Sequence, residues 1–455
     1  MQQAGATNKG LARRIRELSE SDGGEPVRAD HVAVKRWLDG VTRQPHPRTC
    51  QLIAKVLGSM LGRTVSLEEI GYCAPVTADV GIEYPDEVAE SVVALRVITD
   101  IELRAPKQAG PLNVVPEAWS GLVVRWLMDS DEDKSRPPSE PRPITLIDVD
   151  AVREATAMFS TFDYKYGGGR PKSMVASFLD AEVLPNIPHV SPHDPVGREY
   201  FREVAALTRL AGWTAYDTGA HGLAQRYLTQ AFRFAKAAND KPLCGRILSG
   251  MSHQANFLGH YQRAADLARA AYKGASGFAT PTTMALFYAM EARALASMGK
   301  QADTVNALVT AETWHGQGNP ENDPEWIRYF DAAELHAEFA HCFRDLGNAE
   351  LANHHAAASI RESKARFVRS LSFCRTVLAT SHVLAGELDQ ALEVARSVVE
   401  TAAQLKSYRV LSYLDNFGTR LSLHVRDPLV REFFDFARGL IPLENLPSSG
   451  KLIVA

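Results

Sequence analysis

The sequence predicts an all-α protein: a small helical head, a helical middle segment and a C-terminal α-solenoid. Three observations carry that prediction. Five glycines, Gly219, Gly259, Gly299, Gly347 and Gly386, recur at spacings of 40, 40, 48 and 39 residues. Compact residues stand at fixed offsets from them: Ala224, Ala264, Thr304, Ala352 and Ala391 five residues on, and Ala231, Ala271, Ala311, Ser359 and Val398 twelve residues on. The first 72 residues, in turn, carry start and stop signals of several short helices. Small residues at fixed offsets let two helices of a hairpin approach closely, and glycine permits the backbone turn between them. Such a hairpin cannot bury its apolar face alone, so neighbours stack into a solenoid. Stacked helix pairs usually bind other chains or ligands and rarely perform chemistry.

The elements follow in order. Asn8 is expected to cap a first helix with Leu11, Ile15 and Leu18 on one stripe, and SESDGGEP breaks it. RADHVAVKRWLDG reads as a second helix, capped by Asp30 and stopped by Gly40. VTRQPHP is a stiff linker, and Thr49 is expected to cap a third helix, TCQLIAKVLGSML. Two helical stretches follow around Asp86–Leu103 and Pro116–Met128, then a charged, Pro-rich linker over 129–143. Residues 144–182 read as helix interrupted by FDYKYGGGRP, where the three glycines form a flexible turn. From Arg198 helices succeed one another to about Leu440, and PLENLPSSGKLIVA is irregular. The expected divisions are a head over 1–75, a connector over 76–143, a lead-in over 144–197, the repeats over 198–440 and a tail over 441–455.

Charge is uneven. Residues 1–72 hold 11 Lys and Arg against 8 Asp and Glu, a net +3, whereas residues 73–143 hold 7 against 13, a net −6. A basic head on a mildly acidic body suits contact with nucleic acid. No run of about 18 apolar residues is present, and MQQAGATNKGLARRIREL lacks the apolar core of a signal peptide, so a cytoplasmic location is expected. The five cysteines are scattered and form no CxxC pair, which argues against disulfides or a zinc finger.

In the second helix Val32, Val34 and Leu38 are expected to face inward, with Trp37 on the head's own core. His31, Lys35 and Arg36 would then be exposed toward base edges, and Arg43 and Arg48 would hold phosphates. RADHVAVKRWLDG, followed by TRQPHP and LIAKVLGSMLGRTVSLEEIGY, resembles the head of actinobacterial Cro/C1-type helix-turn-helix regulators. In those a tryptophan-and-glycine segment precedes a Pro-rich turn and an LGR helix end. FDYKYGGGRP and the helical-repeat C-terminus resemble the same class, which includes Streptomyces-type regulators of antibiotic production and sporulation. The resemblance implies a helix-turn-helix-like head on double-stranded DNA, a homodimer on two-fold sites, and control of secondary metabolism or development. One departure matters: GGEPV stands where such heads carry a positioning helix, and it is poor in helix formers.

The C-terminal repeats resemble the tetratricopeptide family. Counted back from each glycine, the eighth positions of the unit are Gly212, Ser252, Ala292, Ala340 and Ala379, all small. In such solenoids the first helix of each pair lines a concave groove. Its groove positions place Arg209, Trp213, Arg246, His253, Asn256 and Arg293 on one wall, together with Glu334, His341 and Arg344. Arginine forks and an asparagine amide suit a peptide, a small-molecule effector or a protein partner. Equally, such residues bridge repeats, or the groove receives the head or a second subunit.

GGG over 167–169 lacks the Lys-Ser/Thr of a phosphate-binding loop, although Arg170 and Lys172 keep an anion site in view. His336, His341, His354 and His355 are poorly spaced for a metal, and no GxSxG, HExxH or Walker pattern occurs. No enzyme activity, cofactor or metal is expected. Two functions remain: a DNA-binding regulator whose repeats dimerise and sense an effector, or a scaffold with a degenerate head that does not touch DNA.

Overall fold

A computed structural model of the 455-residue chain describes residues 5–21, 27, 29–39, 47–63, 65, 68–70, 79–104, 112–128 and 142–442. Among these the regular structure is entirely helical, as the sequence predicts. No described helix is long and apolar enough to cross a membrane. The chain divides into two compact units, 1–78 and 79–455.

The first unit packs α1 (Asn8–Ser21), α2 (His31–Leu38) and α3 (Pro47–Leu61) around one small core. Leu11 and Ile15 of α1, Val34 of α2 and Leu52, Val56 and Leu57 of α3 are all buried there. Asp30 caps α2 as expected, its carboxylate accepting from Ala33 N at 2.6 Å, and this bond holds its pKa below the usual range. The other two caps differ from expectation. Thr7 Oγ1 accepts from Gly10 N at 3.1 Å, so Asn8 is already helical, and α3 starts at Pro47, two residues before Thr49. Proline at the first position needs no partner for an N–H it lacks. Arg43 lies outside the described residues.

The second unit contains the repeats. α8 (Pro195–Asp217) pairs with α9 (His221–Ala237), α10 (Lys241–Phe257) with α11 (Tyr261–Ala275), and α12 (Pro281–Ser297) with α13 (Gln301–Gly316). α14 (Ala332–Asp345) pairs with α15 (Ala349–Glu362) and α16 (Val368–Ala385) with α17 (Leu388–Ala402), before α18 (Tyr408–Leu421) and α19 (Pro428–Leu440) end the array. All five repeat glycines have φ between 72° and 84°, the left-handed turn that glycine adopts without steric cost. The fifteen compact positions are buried without exception. Ser252 shows why: its hydroxyl donates to Ala264 O at 2.8 Å, locking the eighth position of one hairpin onto its second helix. At Gly212 an added Cβ would stand 2.9 Å from Leu228 Cγ.

The connector and lead-in belong to this same unit. α4 (Val88–Arg104) lies on α9 and α5 (Pro116–Met128) on α11. The segments beside them are pinned by α9: Arg226 donates to Val80 O, Asn113 O and Gly222 O, while Gln225 bonds both the N–H and C=O of Val115. Trp126 fills the space over Gly274, its indole N–H donating to Ala270 O at 2.9 Å.

α6 (Leu146–Tyr166) packs on both α8 and α16, so it joins the first repeat to a late one. The glycine triplet that follows forms the expected turn between α6 and α7 (Lys172–Phe178), and backbone hydrogen bonds anchor it. Gly168 N donates to Asp217 Oδ2 at 2.8 Å, Gly169 N to Lys406 O at 2.9 Å, and Lys406 N to Tyr166 O at 3.1 Å. Each glycine permits a backbone approach that a side chain would block. Arg170 is exposed and Lys172 pairs with Glu102 at 3.7 Å. Gly219 meets the Tyr408 ring of α18, whereas the other four repeat glycines face open space. The array is thus closed from its first hairpin to its last.

Gly167 and Gly299 separate the two roles of glycine. Both have positive φ, but a Cβ at Gly167 would stand 2.8 Å from Lys406 O, whereas one at Gly299 meets nothing within 4 Å. Gly299→Ala is expected to cost about 1 kcal/mol. Gly167→Ala should cost about 1–3 kcal/mol more, because it also forces the junction apart. Calorimetric unfolding checks this, and equal losses would show that the junction contributes nothing to stability.

Candidate functional site

The head presents one face of α2. His31, Lys35 and Arg36 are exposed on it, as expected. Val32 and Leu38 are not inward-facing: they are 50% and 57% exposed, while Val34 is 1% exposed. The helix period explains the correction, since residues two apart point roughly 200° apart and cannot share a core face. Val34 and the half-buried Trp37, three apart, form the inward stripe instead. Val32, Lys35 and Arg36 then fall on one outward stripe, so the exposed face is basic with an apolar centre. The side chain of Arg48, like Arg43, lies outside the described residues.

The second candidate is a cavity of about 110 Å³ inside the closed helical array. It is lined by the first helices of successive hairpins, α8, α10, α12, α14, α16 and α18, with α6 completing the wall. Of the six residues expected on one wall, Arg209, Trp213, Arg246, His253 and Arg293 all line it. Asn256 lines an adjoining cavity of about 520 Å³ instead. His253, Arg293 and Tyr413 border both spaces. Of the further groove residues, Glu334 and His341 line the first cavity and Arg344 the second.

Most charges around the first cavity are matched. Arg369 forks onto Asp163 at 2.5 and 2.7 Å and lies 3.3 Å from Asp217. Burial alone would lower the Arg369 pKa, but Asp163 and Asp217 more than reverse it and hold the guanidinium charged. Arg409 lies 3.8 Å from Asp217, which also accepts from Ser407 Oγ at 2.9 Å, and it stacks over Trp213, Tyr216 and Phe373. Arg293 pairs with Glu338 at 2.7 Å and Lys364 with Asp331 at 3.5 Å. His253 and His341 are buried, which pushes both pKa values well below the ordinary range, and neighbouring arginines push them further; both rings are neutral at pH 7.

Sequence reasoning missed Asp163, Tyr164, Arg369 and Arg409. Asp163 and Tyr164 sit in the FDYKYGGGRP stretch that interrupts the predicted helix, and the arginines lie in the first turns of α16 and α18, helices from which no groove residue is expected. Only the closure brings them together. Among the described residues no cluster suited to a metal ion occurs.

Comparison with known proteins adds one finding. A family model described as the SP15 N-terminal domain matches residues 1–73. No curated protein matches the chain.

Glu334 offers a direct test of the cavity's electrostatics. Burial, then the nearby Glu338 and Asp331 carboxylates, raise its pKa from 4.5 to about 8. Below about pH 4.5 folded and unfolded chains both hold this proton, so it costs nothing. As pH rises from there toward 8, the unfolded chain releases the proton while the folded chain retains it, and stability falls. Glu334→Gln should therefore match the wild type near pH 4.5 and exceed it by on the order of 4 kcal/mol at pH 8. Thermal unfolding across that range reads the difference. A gap that stays flat or shrinks with rising pH contradicts the assignment.

Proposed function

We propose that this protein is a DNA-binding transcriptional regulator whose head contacts double-stranded DNA and whose helical body senses a ligand and mediates dimerisation. The observation that carries the reading is the outward face of α2. It sets Lys35 and Arg36 beside Val32 on a capped helix, in a unit whose own core is complete without them. Cations on such a face attract the phosphate backbone, and a short apolar side chain between them suits a thymine methyl in the major groove. The order of the segments supports the same reading: a basic head resembling Cro/C1-type helix-turn-helix modules precedes a body of tetratricopeptide-like hairpins. Heads of that kind read two-fold sites, so the working form in this proposal is a homodimer. Control of secondary metabolism or development is the part of the proposal that rests on resemblance alone.

One observation favours the second reading, a scaffold that does not touch DNA: GGEPV, at the place where helix-turn-helix proteins carry their positioning helix, is poor in helix formers.

Fluorescence anisotropy on a random-sequence duplex separates the two. The regulator binds at low salt, with log affinity falling steeply against log salt. Lys35→Ala combined with Arg36→Ala should weaken binding at least tenfold and flatten the salt slope, with the helical circular dichroism signal unchanged. A wild-type chain that ignores duplex at 50 mM salt, or a double variant with unaltered affinity, sinks the reading.

A further inference from the structure

Two guanidiniums on the cavity wall have no carboxylate in hydrogen-bond or ion-pair contact, and Asp163 attracts Arg209 only from beyond that reach. Arg209 of α8 makes no hydrogen bond or ion pair among the described residues, although the cavity wall includes it. Arg246 of α10 is 8% exposed; it donates one N–H to Tyr329 Oη at 2.8 Å and lies over the Trp326 and Tyr329 rings, while its Nε is buried without a partner. The two repel each other: burial first, and Arg246 second, lower the Arg209 pKa to about 10. The remaining cations on the wall already have acids. Glu334, the one wall carboxyl without a cation bonded to it, is the acid that keeps its proton to about pH 8.

Burying two like charges side by side costs free energy unless something neutralises them. Inside a protein that places a carboxylate beside every other guanidinium on this wall, the missing partner points to a ligand. We infer that the cavity binds a small organic anion of about two negative charges, held between the Arg209 and Arg246 guanidiniums with its body against Leu286, Met290 and Trp213. Arginine forks accept phosphate and carboxylate oxygens equally well in geometry, so a phosphate monoester and a dicarboxylate share this chemistry. The Tyr164 ring, which forms part of the same wall, brings a hydroxyl to the site. Size supports a small ligand: about 110 Å³ is of the order of the ~150 Å³ cavity that accepts benzene. The inference rests on the body being the sensing half of the proposed regulator, and it is read without DNA. Its failure leaves the α2 assignment standing, and failure of the α2 assignment leaves this one standing.

The test is isothermal titration of the full chain at pH 7 and low salt with phenyl phosphate and succinate, and with their neutral counterparts phenol and succinamide. At least one anion should bind at least tenfold more tightly than its neutral counterpart and raise the Tm; which anion does so separates the phosphate from the dicarboxylate source. Arg209→Gln and Arg246→Gln, made singly, should each weaken that binding at least tenfold. Arg209→Gln should not lower the Tm of the free protein, since it removes an unneutralised charge, whereas Arg246→Gln also loses the Tyr329 bond and two ring contacts, so its circular dichroism confirms folding instead. Absence of binding by both anions, equal binding of the neutral compounds, or unchanged affinity in both variants overturns the inference. If one variant fails to fold, the other and the wild-type comparison still decide.

Discussion

The fork of Arg369 onto Asp163, with Asp217 at its back, is the contact on which the second unit depends. Asp163 comes from α6, Asp217 from the end of α8 and Arg369 from the start of α16, so three elements far apart in sequence meet at one guanidinium. A buried ion pair of this kind gives little net stability, because desolvation offsets the attraction. Its value is in specificity. With Asp163 buried, any arrangement of the hairpins that separates α16 from α6 leaves that acid unneutralised, at several kcal/mol, and strips Asp217 of one of its two arginines. An open stack of hairpins pays no such penalty for bending or twisting, so the fork selects one curvature out of many. The glycine triplet makes that selection possible, because only a backbone without Cβ atoms lets Gly168 and Gly169 approach Asp217 and Lys406 closely enough to bond.

Closure changes what the inner wall can recognise. An open solenoid offers its first helices to an extended chain, which enters from the side and lies along the groove. Here α6 and α18 add their own side chains to the wall, and the same first helices converge on a small cavity. Polar residues that would grip a peptide backbone along a groove are turned on one another: His253 accepts at Nδ1 from, or donates to, Tyr216 Oη at 2.8 Å, and Arg293 reaches both Glu338 and Tyr413. What remains unmatched is the pair Arg209 and Arg246, and two cations suit a compact anion better than a strand.

The repeat was legible in the sequence because its determinants are local. A glycine at each turn and compact residues five and twelve positions later act within a single hairpin, and all of them proved buried. The five wall residues were legible for the same reason, since helical periodicity alone fixes which side chains share a face. The errors arose where periodicity was broken or where distant segments meet. Val32 was assigned inward against the period of its own helix. Arg226 and Gln225 look like the solvated face of a surface helix, and become buried because segments more than a hundred residues earlier lie across them. The glycine triplet reads as a bare turn in isolation, and its hydrogen bond to Lys406, some 240 residues away in the chain, cannot be read locally. Asn256, one turn beyond His253, falls past the Arg293–Tyr413 partition and into the neighbouring space. No local rule places that partition.

The position of α6 ties the cavity to the closure. Asp163 anchors the fork and Tyr164, the next residue, lines the cavity, so the helix cannot withdraw from Arg369 without also opening the wall around Arg209 and Arg246. A ligand that needs both arginines in place binds only the closed arrangement, and by linkage it stabilises that arrangement by RT ln(1 + [L]/Kd), about 2.7 kcal/mol at a hundredfold excess over Kd. That is comparable to the strain which a single misplaced Cβ at the junction would introduce. The unneutralised arginines work in the opposite sense: without an anion, their repulsion favours separating α8 from α10, the helices that carry them. If the inferred anion binds, occupancy of the cavity and integrity of the closed array would be two readings of one equilibrium. The physical element that a ligand would bias is the Asp163–Arg369–Asp217 junction, rather than any individual hairpin of the stack.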